Sequence, residues 1–552
     1  MRQRFESKSK KISVNVIAGT YVVLFGIDLD DDLIVGLRGF SIFREDHTGN
    51  EKGFLINFKR FRSQETKPGS DQNPIQEFVW GDYTAKENHE YTYTITAKYG
   101  SPGSLTDGET VSAEIKTENA AGSEHQIYFN RGVAASQAYA TRFHNLPPDK
   151  VPGGAAFDWL SRGLKEAILS FLDEAKDSDY ALRAAMYEFN YPEVLHGYLS
   201  AHKRGVDVQI VMDAKENSES NPRDLNLQAI KDEGIEDLVV ERTANPGYIA
   251  HNKFVVLLKK DTPIAVWTGS TNISEGGIFG HSNVGHLVHD PDVAAAYLAY
   301  WSQLKEDPEA KVLRPWDEAN SKLPTAIEPS ITPVFSPRSS LDALKLYADL
   351  MDSAKTSVFF TAAFGVNEAL KKVLENKKPY LRYVLLEKID DDLTILMKRD
   401  PDDRFAVGSF IDTNALEHWV KEKLSGLNKH VRYVHTKFML LDPLSANPTV
   451  ITGSANFSNN STTNNDENML IIRGNPRVAD IYLTEFMRLF VHYEFRQHVM
   501  GVESDLSVDS DSGRKPSQKA FNSYLDETDK WSARFFVKDS PRAKERILFN
   551  GQ

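Results

Sequence analysis

The chain of 552 residues contains no cysteine, and no apolar run in it is long enough to cross a membrane. The lack of cysteine excludes disulfide bonds, thiolate catalysis and cysteine-bound zinc. The N-terminus is basic, but no apolar segment of signal-peptide length follows it. We therefore expect a cytoplasmic protein without a transmembrane segment.

The chain also has fewer basic than acidic residues: 65 against 78, which gives a formal net charge of −13. This balance argues against a protein that coats nucleic acid over a broad surface, although a locally basic cleft stays compatible with it. The hydrophobic share of 41% indicates a globular chain rather than a disordered one.

Two stretches of the sequence match each other without a gap when they are aligned on His251 and His435. Each histidine is followed by a lysine at +2, by Gly-Ser at +18 and +19, by asparagine at +21 and by a polar residue at +32. The distance between the copies is the size of a domain, which predicts an internal duplication. The matched residues are Lys253, Gly269, Ser270, Asn272 and Asn283 in the first copy, and Lys437, Gly453, Ser454, Asn456 and Glu467 in the second.

Each copy supplies the groups that a reaction at a phosphodiester needs. In an extended strand, the histidine and lysine of His-x-Lys lie on one face, because side chains alternate. The later turn adds a hydroxyl and an amide. Two copies facing each other would let one histidine attack phosphorus and the other protonate the leaving group, while lysine and asparagine hold the phosphate oxygens.

These residues resemble the HKD motif of the phospholipase D superfamily, in which His-x-Lys is followed after four residues by aspartate, and then by Gly-Ser and asparagine. The second copy is complete, with Asp442 at the aspartate position. The first copy has Leu258 there. Because one copy lacks the carboxylate, we interpret Asp442 as supporting structure.

The resemblance implies phosphodiester cleavage through a covalent phosphohistidine, with no metal and no other cofactor. It implies that His251 and His435 are the nucleophile and the general acid. Four further residues are expected to bind the nonbridging oxygens, namely Lys253, Lys437, Asn272 and Asn456. The hydroxyls of Ser270 and Ser454 either contact phosphate or complete a turn. Neither motif has the paired carboxylates or His-Glu-His spacing that would hold two metal ions nearby.

The residues at +32 differ, and this difference predicts which histidine attacks. We expect each of them to hydrogen-bond the histidine of its own copy, Asn283 to His251 and Glu467 to His435. A carboxylate stabilises an imidazolium, so His435 is expected to hold its proton as the general acid. His251 is then the expected nucleophile, as the first-copy histidine commonly is in the superfamily.

The fold class predicted is α/β with mixed sheets: two phospholipase D-like lobes form a pseudo-twofold pair behind an all-β sandwich. Residues 1–145 alternate like antiparallel strands and resemble a fibronectin type III or immunoglobulin-like module. Helix, strand, helix, strand, motif and helix then occur in residues 150–316 and again in 341–500. Residues 317–340 contain four prolines and are predicted to be a linker. Aromatic residues in the tail, 501–552, predict that it packs back on the body.

The favoured functional hypothesis is a hydrolase of the phospholipase D type that acts on phospholipid head groups, which would also bring the chain into peripheral contact with a membrane. The alternative is a metal-independent nuclease. A basic rim would then grip the strand, with Lys371, Lys372, Lys377 and Lys378 as candidates, although such a charge run is more often a solvated helix face. A third hypothesis is a degenerate binding protein, disfavoured because both His-Lys-Asn sets are present.

Overall fold

The structure is a computed structural model, and it describes residues 1–64, 69–121, 124–132, 137–216, 222–245, 247–325, 329–408, 434–499 and 524–551. The N-terminal region consists of two four-stranded antiparallel sheets, with strand orders β1-β2-β3-β6 and β5-β4-β7-β8. The strands are β1 (Arg2–Glu6), β2 (Ile12–Ala18), β3 (Val23–Leu29), β4 (Gly39–Asp46), β5 (Glu51–Phe54), β6 (Val79–Asp82), β7 (Glu90–Ser101) and β8 (Ser104–Lys116).

The two sheets face each other across one hydrophobic core, because each strand places alternate apolar side chains on its inner face. In β7, Tyr91, Tyr93 and Ile95 are buried in this core while the threonines between them face outward. The alternation of the sequence therefore correctly predicts an antiparallel sandwich here.

The remaining elements form two lobes. The first contains β9 (His125–Phe129), α1 (Gln137–Phe143), α2 (Ala155–Ser161), α3 (Leu164–Leu172), β10 (Tyr180–Met186), α4 (Pro192–Lys203), β11 (Asp207–Asp213), α5 (Arg223–Glu233), β12 (Val239–Arg242), β13 (Lys253–Lys259), β14 (Thr262–Gly269), β15 (Val284–Val288), α6 (Pro291–Lys305) and α7 (Ala310–Asn320). A π-helical turn, Gly276–Gly280, precedes β15.

The second lobe contains β16 (Ser330–Ser336), α8 (Asp342–Ser353), β17 (Ser357–Ala362), α9 (Glu368–Glu375), β18 (Leu381–Leu386), α10 (Asp391–Arg399), β19 (Asp403–Val407), β20 (Phe438–Leu441), β21 (Thr449–Gly453), α11 (Asn459–Thr463), β22 (Glu467–Arg473) and α12 (Pro476–Val499). The tail adds α13 (Lys530–Ala533) and α14 (Pro541–Asn550).

Both lobes have a seven-stranded mixed sheet built in the same order. The first runs β12-β11-β10-β13-β14-β15-β9 and the second runs β19-β18-β17-β20-β21-β22-β16. In each sheet the three strands at one end are parallel and the others antiparallel. One hydrophobic core contains residues of both sheets and of α6 and α12. The predicted fold of two related lobes with mixed sheets is confirmed.

Each lobe takes an edge strand from a segment that we expected to lie outside it. β9 falls within the predicted β module of 1–145, yet it pairs with β15 of the first lobe. β16 falls within the predicted linker of 317–340, yet it pairs with β22 and buries Val334 and Phe335. Pro333 is compatible with this strand because β16 is the edge of its sheet, where a missing N–H costs no ladder bond.

The C-terminal tail lies against both the sandwich and the second lobe. Trp531 and Phe535 are buried in the core of the sandwich, with Phe536 packed against it. Phe549 belongs to the core that the two lobes share. The aromatic residues of the tail thus lie where their predicted packing requires, while residues 501–523 of the predicted tail are outside the described residues.

Candidate active site

The two motif histidines precede central strands of the two sheets. His251 lies two positions before the first residue of β13, and His435 lies three positions before the first residue of β20. β20 is wholly apolar and buried, and β13 is apolar and buried between its two terminal lysines, so the polar residues near their starts are held at the end of a rigid element. Each histidine is only 4% exposed.

The lobes meet at these starts through two equivalent bridges. Ala250, next to His251, pairs with Asp466 of the second lobe, and the backbone N–H of His251 donates to the carbonyl of Asp466 at 2.9 Å. In the other direction, Val434 pairs with Ser282 of the first lobe. Each motif histidine therefore lies against the residue that precedes position +32 of the other lobe.

In this arrangement each histidine has the +32 partner that we expected for the other histidine. The Nδ1 atom of His251 lies 2.9 and 3.0 Å from the carboxylate oxygens of Glu467. The Nδ1 atom of His435 lies 2.9 Å from Oδ1 of Asn283. Our prediction that each +32 residue serves its own histidine is wrong, because the twofold packing brings the end of one lobe's motif to the start of the other's.

The hydrogen bonds around Asn283 determine its orientation and with it the tautomer of His435. The amide nitrogen of Asn283 donates to the carbonyl of Gly277 at 2.7 Å, so the amide oxygen faces His435. An amide oxygen and a carboxylate only accept hydrogen bonds, so both histidines carry a proton on Nδ1. In the neutral rings, Nε2 is then the basic and nucleophilic nitrogen.

The two motif serines hold the +32 residues rather than offering a hydroxyl to a phosphate. Ser270 donates to Oδ1 of Asn283 at 2.8 Å, and Ser454 donates to Glu467 at 2.6 Å. Each hydroxyl also accepts a backbone N–H, from Val284 and from Asn468 respectively. Two roles were open for Ser270 and Ser454, phosphate contact and completion of a turn. The structure favours a structural role, because both hydroxyls position the residue that holds the histidine of the opposite lobe.

The two motif lysines are both buried, and burial lowers the pKa of each ammonium group. The ammonium groups of Lys253 and Lys437 donate to the carbonyls of His251 and His435, at 2.5 and 2.6 Å. Burial lowers the pKa of Lys253 to about 8, with partial compensation from Glu467. Burial and the neighbouring Lys253 hold the pKa of Lys437 well below its ordinary value. A bound phosphate would supply the missing counter-charge.

Burial also disfavours the charged form of both histidines. It lowers the pKa of His251 to about 4, although Glu467 acts in the opposite direction. It holds the pKa of His435 well below the usual range, and Lys437 and His281 lower it further. Burial raises the pKa of the Glu467 carboxyl, but His251, the nearby Lys253 ammonium and the hydrogen bond from Ser454 together bring it below its ordinary value. The surroundings in the protein therefore favour the neutral form of both rings.

The motif asparagines are poised differently from the serines. The side-chain oxygens of Asn272 and Asn456 are buried without a hydrogen-bond partner among the described residues. An unsatisfied buried amide is costly, and rotating either amide by half a turn would present its N–H groups instead. Both groups therefore suit the binding of an oxygen-rich ligand such as phosphate.

Asp442 lies apart from the histidines and supports a loop, as its interpretation from the sequence states. Its carboxylate accepts the backbone N–H groups of Lys355, Thr356 and Ser357, at the start of β17. In the first lobe β13 continues to Lys259, so Leu258 lies inside a strand with its side chain in the shared core. A longer strand is thus the reason why the first copy has no aspartate.

Several residues around the site have no counterpart in the motif pattern. The ring of Tyr187 contacts that of His251 edge to face at 4.9 Å, and its face lies 5.2 Å from the ammonium of Lys253. Asn468 donates to Asn252 at 2.7 Å and accepts from Tyr297, which ties the lobes together beneath the site. The sequence signal for Asn252 and Asn468 is that each stands next to a motif residue.

A protein-family profile described as "Cardiolipin synthase, PLD-like domain" matches residues 168–305 and 348–490, just over half of the chain. The chain belongs to the phospholipase D-like family. The two matched ranges contain the two copies of the motif. Membership makes it an enzyme of a superfamily that acts on phosphodiesters.

Among the solved structures that match parts of this phospholipase D-like chain are three of low sequence identity and low TM-score. Polyphosphate kinase from Porphyromonas gingivalis is 12% identical with a TM-score of 0.36, and the match covers 57% of this chain and 46% of that one. Phosphatidylserine synthase from Haemophilus influenzae is 14% identical with a TM-score of 0.40, covering 60% and 85%. Nuc from Salmonella typhimurium, a phospholipase D family member, is 22% identical with a TM-score of 0.22, covering 30% and 96%. No curated protein matches the sequence.

Proposed function

We propose that this enzyme hydrolyses a phosphodiester bond of phospholipid head groups through a covalent phosphohistidine. The observation that carries the proposal is the crossed pair of histidines, each with Nδ1 held by the opposite lobe and Nε2 left for the reaction. Two buried lysines and two asparagines with unsatisfied oxygens accompany them. Such preorganised groups stabilise the charge that develops on phosphate oxygens in the transition state.

The proposed reaction has two displacements. Nε2 of one neutral histidine attacks phosphorus and the bond to the leaving alcohol breaks, while the other, protonated histidine gives its Nε2 proton to the leaving oxygen. A water molecule then returns a proton to that second histidine, its oxygen attacks phosphorus, and the P–N bond breaks. The products are an alcohol and a phosphomonoester, and the same group serves as acid and then as base.

We assign the attack to His251, on a different ground from the one the sequence suggested. A histidine phosphorylated on Nε2 and protonated on Nδ1 carries a positive charge. The carboxylate of Glu467 beside Nδ1 neutralises this charge, whereas the amide of Asn283 beside His435 offers only a dipole. His435 is then the general acid. The anionic phosphate of the substrate favours the protonated form of its ring, and the low pKa of that ring favours transfer of the proton to the leaving oxygen.

Trapping of the intermediate tests this assignment. With His435→Asn and a substrate whose leaving group needs no proton, a phosphoryl adduct should accumulate on His251, detected by intact mass and peptide mapping. The matched variant His251→Asn should trap nothing. An adduct mapped to His435 would reverse the roles, and no adduct in either variant would count against a covalent mechanism.

The charge distribution supports a lipid substrate over nucleic acid. The net charge is −13, and two of the four lysines considered for a basic rim form ion pairs with acidic residues. Lys371 forms ion pairs with Glu368, Asp390 and Asp392. Lys378 pairs with Asp352. A strand of nucleic acid would need such charges free to release counterions from its phosphates.

A substrate panel tests the proposal. The full chain is incubated with phosphatidylcholine vesicles and with single- and double-stranded DNA and RNA, in the presence of EDTA. Release of head group with chelator present is the expected result, and added ethanol would divert some product to phosphatidylethanol if the intermediate accepts alcohols. Cleavage of nucleic acid alone would favour the nuclease, and loss of activity restored by a metal ion would refute the metal-free mechanism.

We also propose that the sandwich is a module of the fibronectin type III or immunoglobulin-like type. The order β5-β4-β7-β8 in one sheet and the order β2-β3-β6 in the other support it. They correspond to strands C′-C-F-G and A-B-E of that architecture. Superposition of an experimental structure of residues 1–121 on such modules is the direct test.

A further inference from the structure

The edge of the sandwich displays an apolar row on its outer surface. Phe54, Ile56 and Phe58 are 42%, 55% and 65% exposed, and Phe43 on the adjacent strand packs against Phe54 with ring centroids 4.9 Å apart. We call these four residues the apolar stripe. Soluble surfaces seldom expose large apolar side chains in a contiguous row without a binding partner.

The stripe is held outward by the residues between its members. Leu55 is buried in the sandwich core, and its N–H donates to the carbonyl of Ile42 at 2.9 Å. The buried amide of Asn57 donates to the carbonyls of Asn73 and Pro74. With alternate residues anchored inward, Phe54, Ile56 and Phe58 must point outward. The exposure therefore belongs to an ordered segment.

Basic residues flank the stripe at both ends. Residues 52–62 include Lys52, Lys59, Arg60 and Arg62 and no acidic residue, in a chain whose net charge is −13. Lys52 shares the face of Phe54 because it precedes it by two positions on β5. Arg62 is exposed and lies over the ring of Tyr524. Glu45 opposite Lys52 is the nearest acid on the neighbouring strand.

We propose that the apolar stripe and its flanking cations dock the enzyme on an anionic lipid bilayer. Apolar side chains between cations match the chemistry of a membrane interface, where rings enter the acyl boundary and cations meet the head groups. The acidic remainder of the molecule is repelled by the same surface, so the field also orients the chain. In its consequence for catalysis, this inference rests on the proposed phospholipid substrate.

Vesicle co-sedimentation of the full chain tests the docking surface. We expect binding to vesicles of phosphatidylcholine mixed with phosphatidylglycerol, weakened by salt, and much weaker binding to phosphatidylcholine alone. Changing Phe54, Ile56 and Phe58 together to serine should lower the partition at least about thirtyfold, given the apolar area each side chain would bury. Lys52→Gln with Arg62→Gln should lower it roughly tenfold and reduce the salt dependence.

Val35→Ser is the matched control, because Val35 is 80% exposed on the same sandwich but outside the stripe. It should bind as the wild type does. Thermal unfolding of each variant, and the single change Phe58→Ser, guard against loss of the fold. Unchanged binding in the folded triple variant would overturn the proposal. So would a triple variant that binds vesicles normally but changes from dimer to monomer in gel filtration, because the stripe would then join two copies.

The catalytic consequence is measured separately. The triple variant should cleave phospholipid in anionic vesicles slowly and a short-chain monomeric phospholipid at the wild-type rate. Stripe-dependent vesicle binding without cleavage of either substrate would reject the proposed function and retain the docking surface. Equal loss on both substrates would contradict a role in docking.

Discussion

At the scale of single residues, the site depends on hydroxyls that never need to touch the substrate. Ser270 and Ser454 each hold a +32 side chain that in turn holds the histidine of the other lobe. A serine of one lobe thereby orients the +32 residue of that lobe, and this residue in turn holds the catalytic histidine of the other lobe. The motif is a unit only when both lobes are folded together.

Replacing Ser454 tests this role. In Ser454→Ala, Glu467 loses its hydroxyl donor and His251 its oriented partner, so kcat should fall about 10- to 100-fold, by analogy with groups that orient metal-binding histidines. KM should change little, because no phosphate contact is lost. The control is Ser540→Ala, a serine of the C-terminal tail that caps α14. A rise in KM with kcat unchanged would show that the hydroxyl binds phosphate instead.

The buried ammonium of Lys253 has a consequence for stability. Its pKa in the folded protein is about 8, below the ordinary 10.5, so between these values the unfolded chain binds more protons than the native one. The free energy of unfolding should therefore rise with pH across this window. Below pH 8 the full cost of burying the charge is present.

We expect Lys253→Met to remove this rise and to be more stable than the wild type at pH 7 by on the order of 1–3 kcal/mol, while losing activity. Denaturant unfolding at pH 7 and at pH 10 measures both effects. Lys259→Met, at the exposed end of the same strand, should leave stability nearly unchanged. A wild-type curve that falls between pH 8 and 10 relative to the variant would contradict the buried-charge argument.

At the scale of elements, the two hairpins explain why one motif copy has an aspartate and the other a leucine. β13 and β14 are joined by a turn at Lys260 and Asp261, both with positive φ. The second hairpin has a longer connection, from Asp442 to Pro448, between β20 and β21. A carboxylate suits the open loop and would be buried in the tight hairpin.

Introducing the missing aspartate of the first motif should therefore destabilise the folded protein. Leu258→Asp places a carboxylate in the shared core and should lower the free energy of unfolding by roughly 3 kcal/mol or more. Asp442→Ala removes acceptors for three backbone N–H groups at the loop and should cost about 1–2 kcal/mol, with kcat within about twofold of the wild type. A loss of kcat at Asp442 in a folded protein would place this carboxylate in the chemistry after all.

At the scale of the whole molecule, the C-terminal tail joins the sandwich to the catalytic body. The carbonyl of Phe549 accepts from Asn15 of β2 at 2.9 Å, while its ring lies in the core of the lobes. Trp531 donates to the carbonyl of Leu37 and stacks on Phe78. The sandwich is thus attached through buried contacts as well as through the chain.

Phe549→Ala should lower the free energy of unfolding by about 3–5 kcal/mol. It should also separate the melting of the sandwich from that of the lobes. Differential scanning calorimetry should then show two transitions where the wild type shows one. Ile547→Ala, on the exposed side of the same helix, is the control. A single transition at the wild-type temperature would mean that the tail contributes little to the joint.

The duplication, the alternating strands of the sandwich and the His-Lys-Asn sets could all be predicted from the sequence, because they depend on periodicity and on spacing within one stretch of chain. The sequence also placed the aromatic tail on the body. The edge strands β9 and β16 were misassigned because pairing at a sheet edge depends on what lies beside it, and a proline there is no obstacle.

The partner of each histidine, by contrast, depends on how the two lobes pack together. Offsets within a motif say which residues recur together, but they carry no information on how two copies face each other. The twofold packing sets the start of one motif against the end of the other, and so gives the carboxylate of Glu467 to His251 and the amide of Asn283 to His435. The same physical limit applies to Tyr187 and Asn468, which reach the site from elements outside the pattern or across the lobe boundary.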